Sequence, residues 1–184
     1  MVHFLQFFVL ASCAASALAF PSVKRDIEEV NKHMTAIKSG MTAMHQAIET
    51  FPDNGGTLPQ ALKIHNGAKP LTDSLNAWTD ATKRHGAFSA EDCASQIAAV
   101  EEFKPEILAS LSGIITKRPS FESLEKILKN LLQLIKMDLT QLEAGTIAFA
   151  DAMINACPEA QQGQPKETKA VVGEAFQKAI AAYA

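Results

Sequence analysis

SFESLEKILKNLLQLIKMDLTQLEAGTIAFADAMINAC, Ser120 to Cys157, is the stretch whose reading decides the fold. No proline falls inside it; the first is Pro158. Leu124, Leu128, Leu131, Ile135, Leu142 and Phe149 recur at helical spacing and share one face. Ile127, Leu134 and Ile147 form a flanking stripe, and Leu132, Leu139 and Met153 lie nearby. The spacing predicts one long helix, capped by Ser120 and apolar on too wide a face to be packed on one side only. That surplus has two open destinations, an ordinary core or an internal apolar cavity.

Two exceptions interrupt the seam. Asp138 occupies a place between Ile135 and Leu142 where an apolar side chain is expected. An unpartnered buried carboxylate is costly. Facing outward is its simplest placement; pairing with a lysine and a seat at the mouth of a cavity are the alternatives. Gly145 permits either close backbone approach or open volume, and Ser39-Gly40 poses the same choice earlier in the chain.

Toward the N-terminus, the other helices follow from periodicity. Ile27, Val30, Met34, Ile37, Met41, Met44, Ile48 and Phe51 alternate three-four spacing as a heptad seam from Lys24 to Phe51. Pro52-Asp53-Asn54-Gly55-Gly56 ends that helix. Thr57 to Lys83 reads as a second helix, with Leu58, Ala61, Leu62 and His65 on one turn pattern. Ala68, Leu71, Leu75 and Trp78 form the next, and Asn66-Gly67 with Pro70 predict a kink or break between them. Ser89 caps a third helix, with Asp92 three residues on and Phe88 placed to staple against Cys93. Pro105 should bend it before Lys117-Arg118-Pro119. Beyond Pro158, Val171, Val172, Ala175, Phe176, Ala179 and Ile180 mark a last helix. The expected fold is all-α, a five-helix up-and-down bundle.

Residues 1–19 read as a signal peptide. Phe4 to Leu18 is apolar and uncharged, and Ala17-Leu18-Ala19 suits signal peptidase. Lys24-Arg25 reads equally as a processing site, making 20–25 a short propeptide, and as a charged pair opening a helix. Residues 26–184 then form one domain. No later stretch is apolar enough to span a bilayer. The leader contains no Lys, Arg, Asp or Glu, so the exported chain keeps 17 basic and 20 acidic residues and a net charge of −3. That balance gives no footprint for nucleic acid. Lys83-Arg84-His85 and Lys117-Arg118 sit where helix C-termini attract cations. Cys13 leaves with the leader, so an exported chain retains Cys93 and Cys157 for one disulfide. If their helices are antiparallel neighbours, the bond pins the open end of a hairpin.

Catalytic constellations are absent from the sequence. There is no G-x-S-x-G, H-E-x-x-H or glycine-rich phosphate loop. His33 and His45 are twelve apart, and His65 and His85 are isolated, so all read as surface histidines rather than metal ligands. Glu28-Glu29 and Glu101-Glu102 point apart on a helix. Neither an enzyme, a cofactor nor a metal is expected.

The order of features resembles the fungal hydrophobic surface-binding protein A family, which includes cell-wall galactomannoproteins. The resemblance rests on a first helix opening near Arg25-Asp26-Ile27 and on the proline-bent EEFKPEILASLSGIITKRPSFES, Glu101 to Ser123. K-R-x-x-F, Lys117 to Phe121, the leucine-rich helix, and A-F-x-x-A-I-A-A-Y, Ala175 to Tyr183, complete it. It implies an exported helical bundle that adsorbs to hydrophobic surfaces or holds a fatty acid in an apolar tunnel. The galactomannoprotein branch adds a Ser/Thr-rich stalk and a lipid-anchor signal. This chain shows neither before Ala184, and no N-x-S/T after Ala19, so free secretion is expected over cell-wall anchoring.

A non-enzymatic, secreted binder of apolar ligands or surfaces is the leading expectation. A module that recruits or inhibits a secreted hydrolase is the alternative. The helical faces nominate Met41, Met44, Phe103, Ile107, Leu111, Leu128, Leu132, Ile135, Leu139, Phe149 and Met153 as lining. A carboxylate head group is expected at a helix N-terminus or on a Gln, Ser or Thr at the mouth.

Overall fold

In the computed structural model, residues 20–184 are described; the leader at 1–19, with Cys13, lies outside the described residues. The elements are α1 (Phe20–Thr50), α2 (Leu58–His85), α3 (Ala90–Thr116), α4 (Arg118–Leu124), α5 (Leu131–Ala156) and α6 (Gly163–Ala182), with a 3-10 turn at Glu159–Gln161. No strand occurs among the described residues. The backbone of Lys24-Arg25 falls within α1.

The single helix expected from Ser120 to Cys157 is two helices, which makes six α-helices in place of five among the described residues. Residues 125–130 form turns, and Asn130 adopts φ 66°, ψ 19°. Asn tolerates this left-handed conformation better than most residues. The break redirects the chain before Leu131. Ser120 is no cap: it lies inside α4, fully buried, and its Oγ donates to the Pro52 carbonyl at 2.8 Å.

α2 corrects a second expectation, running unbroken through Pro70. Asn66, whose carbonyl loses its N–H partner to the proline, is exposed, so water can satisfy it. The amide oxygen of Gln60 accepts from the Thr57 N–H at 3.0 Å and steadies the helix start. Gly86, at φ 85°, ends it and donates to the Thr82 carbonyl at 2.9 Å. Ser89 does cap α3, accepting from Asp92 N–H at 3.0 Å. Phe88 and Cys93 are both buried beside this start, as a staple requires.

The five long helices pack in the cyclic order α1–α2–α5–α6–α3 and back to α1. Directions follow from paired residues. Lys38, Thr42 and His45 of α1 meet Glu102, Glu106 and Ser110 of α3, so these helices are parallel. His65 and Trp78 of α2 meet Asp138 and Phe149 of α5, again parallel. Lys169 and Gln177 of α6 meet Asp151 and Glu143 of α5, antiparallel. Glu101 and Ile114 of α3 meet Thr168 and Tyr183, so α3 and α6 are parallel. The chain alternates direction from one long helix to the next, yet neighbours in the ring do not all alternate.

Both ends of the ring are closed. At one, Cys93 and Cys157 are bonded, with Cα atoms 5.4 Å apart. The Phe88 N–H donates to the Ala156 carbonyl at 2.7 Å beside them. α3 and α5 are antiparallel but not side by side in the ring. The bond therefore joins two non-adjacent helices instead of the neighbouring pair expected. At the other end, Phe51 stacks on Phe121 with centroids 4.4 Å apart. The Tyr183 hydroxyl donates to the Ile114 carbonyl at 2.7 Å. Buried Lys117 donates to the Phe51 carbonyl and pairs with Asp53 at 2.9 Å.

Candidate functional site: an axial apolar pocket

Each long helix turns one apolar face to the ring axis, and a pocket runs between these faces. α1 supplies Ile37, Met41, Met44 and Ile48; α2 supplies Ile64, Ala68, Leu71 and Leu75. Ile97, Val100, Phe103, Ile107, Leu111 and Ile114 come from α3. Ile135, Leu139, Leu142, Phe149 and Met153 come from α5, and Pro165, Val172 and Phe176 from α6. The free volume is about 100 Å³. The lining spans Ile135 to Met153 on α5, roughly 27 Å at the helical rise per residue. The pocket is long and thin.

Of the eleven candidates, Met41, Met44, Phe103, Ile107, Leu111, Ile135, Leu139, Phe149 and Met153 share this wall. Leu128 and Leu132 do not; Leu128 lies in the α4–α5 break and Leu132 just after it, and both are only partly buried against the core. Ile127, on the expected flanking stripe, is 70% exposed. Ile64 is a wall residue that the pattern Leu58, Ala61, Leu62, His65 misses by phase. Leu62 and His65 sit at the edge of the buried face, and Ile64 with Ala61 and Ala68 marks its centre.

Charged groups enter the wall at two levels, with the Thr146 hydroxyl between them. Asp138 lines the pocket rather than facing outward, its side chain 14% exposed. Its Oδ2 lies 2.7 Å from Nδ1 of His65 across the α2–α5 contact. Burial raises the Asp138 carboxyl above its ordinary value, and the bond from His65 only partly offsets this. His65 is thus a half-buried partner, not an isolated surface histidine. His45 Nδ1 likewise lies 3.2 Å from the Oγ of buried Ser110, a pocket residue. Gly145 leaves no opening: a Cβ there would meet Leu75 Cδ1 at 3.5 Å and Thr72 Cγ2 at 3.6 Å.

The second polar level is 13 residues further along α5 and joins α3, α5 and α6. Glu101, Thr168 and Lys169 line the pocket there. The Thr168 hydroxyl donates to Glu101 Oε1 at 2.7 Å, and Lys104 pairs with the other carboxylate oxygen. The Lys104 bond holds the Glu101 carboxyl below its usual value, burial opposes it, and Thr168 adds to the lowering. Lys169 Nζ donates to Asp151 Oδ1 at 2.6 Å. No group of three or more potential metal ligands occurs among the described residues. No helix there is long and apolar enough to cross a membrane.

This is a ring of amphipathic helices around an apolar axis. The chain belongs to the Hydrophobic surface binding protein A family, whose profile matches residues 27–155. No curated protein sequence matches it. Solved structures share the fold at low identity. Ligand binding domain 1 of Penicillium marneffei MP1 protein, complexed with arachidonic acids, superposes with a TM-score of 0.75 at 15% identity, covering 87% of this chain and 99% of that one. Afmp4p in complex with palmitic acid gives 0.73 at 23% identity, covering 88% and 99%. Ligand binding domain 2 of the MP1 protein, complexed with multiple arachidonic acids, gives 0.73 at 15%, covering 88% and 98%.

Proposed function

We propose that this chain is an exported, non-enzymatic carrier that takes a long-chain fatty acid into its axial pocket. The observation that carries this is one thin pocket to which all five long helices turn apolar side chains. An extended aliphatic chain advances about 1.2 Å per bond, as extended polypeptide does. The axial length suits roughly twenty carbons. Transfer of each methylene from water contributes about 0.8 kcal/mol, so apolar contact supplies the affinity with little selectivity for chain detail. The structural relatives solved with palmitic and arachidonic acids support the reading.

The free volume is small for such a guest. An apolar cavity of roughly 150 Å³ is enough only for benzene. Occupancy then requires the wall to move, and Met41, Met44 and Met153 are suited to that, being unbranched and flexible. The nine candidates that share the wall, with Ile64, Leu71, Val172 and Phe176, form the proposed lining.

Adsorption to a hydrophobic solid would need apolar area outside. From Asp26 onward, the exposed large apolar side chains are Ile127, Met137 and Val171, on three separate segments. The closed bundle offers little such area, and internal binding is the stronger reading.

Native mass spectrometry with added oleate tests it. The expected result is a one-to-one adduct. Leu139→Trp, which fills the pocket, should lose the adduct while retaining the helical circular dichroism spectrum. No uptake by the wild-type chain would overturn the proposal.

A further inference from the structure

The pocket's polar groups are not equivalent. Lys169 is the one cation among its lining residues. Asp138, at the other level, presents a carboxyl group, and the Ser110 hydroxyl is already engaged with His45. A fatty-acid carboxylate brought to the Asp138 end would meet a second carboxyl, already bonded to His65, and no lining cation. At the α3–α6 end it would meet an ammonium group.

That ammonium is already held by a carboxylate. Asp151 projects from α5, does not line the pocket, and contacts Lys169 at 2.6 Å. Its side chain is 50% exposed and that of Lys169 31%, so the pair sits at the boundary between pocket and solvent. Thr168, the preceding residue, supplies a hydroxyl now directed at Glu101. Glu101 is itself paired with Lys104. This level thus carries two cations and two anions, and only one of the cations lines the pocket.

From this geometry we infer that Lys169 is the head-group anchor of the pocket: the ligand carboxylate exchanges with Asp151 for the Lys169 ammonium, and the acyl chain runs down the axis toward Asp138. The inference rests on the fatty-acid reading above and adds an orientation and a selectivity for free acids over esters. The two polar levels are 13 residues apart on α5, Asp138 to Asp151, or roughly 20 Å, so one extended acyl chain spans them.

Asp151 makes the assignment testable in both directions. As a competitor for Lys169, it should weaken ligand binding by being present; as a mere structural partner, its removal should do nothing or harm. Dissociation constants for palmitate and methyl palmitate would be measured by displacement of a fluorescent fatty-acid probe. The wild-type chain should prefer the acid by about fivefold at most, the upper worth of one partly exposed charge pair. Lys169→Met should abolish that preference by weakening the acid to the level of the ester, Lys169→Arg should keep it, and Asp151→Asn should tighten the acid alone. A preference that survives in K169M overturns the anchor and leaves the pocket reading intact. So does equal binding of acid and ester by the wild-type chain. Failure of the wild-type chain to bind either compound removes the pocket reading, and the anchor with it.

Discussion

His65 and Asp138 face each other across the contact between α2 and α5, imidazole Nδ1 to carboxylate Oδ2 at 2.7 Å. The pair joins two parallel helices where Asp138 reaches the apolar pocket. Burial raises the Asp138 carboxyl from its ordinary value near 3.8. The folded state therefore holds the proton more tightly than the unfolded chain. Its contribution to stability is fully present below the unfolded value and is lost as pH rises through the folded value. Urea unfolding should show wild type losing stability relative to Asp138→Asn as pH rises through that window. A difference that stays flat, or grows in favour of wild type, would contradict the burial.

Removal of the Cys93–Cys157 bond should cost about 4 kcal/mol by loop entropy, since the bond closes a separation of 64 residues. The loss should be localised first. The Phe88 amide, hydrogen-bonded to Ala156 beside the disulfide, should exchange with solvent faster in the Cys93→Ala/Cys157→Ala chain than the Tyr183 amide at the opposite end. Uniform acceleration at both ends would mean the bond does not act as an end closure.

Gly145 lies where α5 approaches α2. A Cβ there would make ordinary van der Waals contact with Leu75 and Thr72. Gly145→Ala should be neutral or stabilising, by up to about 1 kcal/mol from helix propensity. Gly145→Leu should be destabilising by roughly 1–3 kcal/mol, because there is no void to receive it. Thermal unfolding checks both, and a stable leucine variant would indicate open volume beside α5.

Lys117 is 8% exposed and donates to the Phe51 carbonyl. Lys117→Met should cost about 1–3 kcal/mol, leaving that carbonyl without its partner. Its other partner, Asp53, has a side chain 63% exposed. Asp53→Asn should change stability by less than about 1 kcal/mol. Equal costs would show that the ion pair, not the carbonyl bond, fixes this corner.

Much of the fold is legible in the sequence because amphipathic periodicity survives wherever a helix is straight. The α1 seam from Val30 to Phe51 is buried at all seven of its positions. Ser89 and Gly86 mark boundaries by their own chemistry. The break before Leu131 is hidden because leucines continue at helical spacing on both sides of it. Asn130 is the one local signal, and asparagine occurs inside helices too often to decide the matter alone. The error propagates to Leu128, which lies in the break, and to Leu132, whose phase is reset where α5 begins at Leu131. Ile64 is missed for a different reason, since Leu58, Leu62 and His65 offer a competing phase. The candidate site is legible as a set of faces but not as a place. Periodicity says which side of a helix is buried, never which helices are neighbours. The meeting of Asp138 with His65, and of Lys169 with Asp151, depends on the ring order alone.

The closed ring has a geometric consequence of its own. Five parallel cylinders at an interaxial spacing of 8–10 Å stand on a pentagon whose corners lie about 8 Å from its centre. Four cylinders at the same spacing stand closer, about 6 Å away. The extra distance belongs to no particular residue, so the central axis stays underfilled unless large side chains reach inward from every corner. Here they do reach inward from every helix, with the smaller Ala68, Ala150 and Pro165 among them, and about 100 Å³ stays free. Bore and backbone are therefore separately adjustable. Substitutions along the inner faces can widen, narrow or plug the channel while the outer seams, which hold the pentagon together, are left alone. On the carrier reading proposed above, one scaffold would suit guests of many shapes without a change of fold.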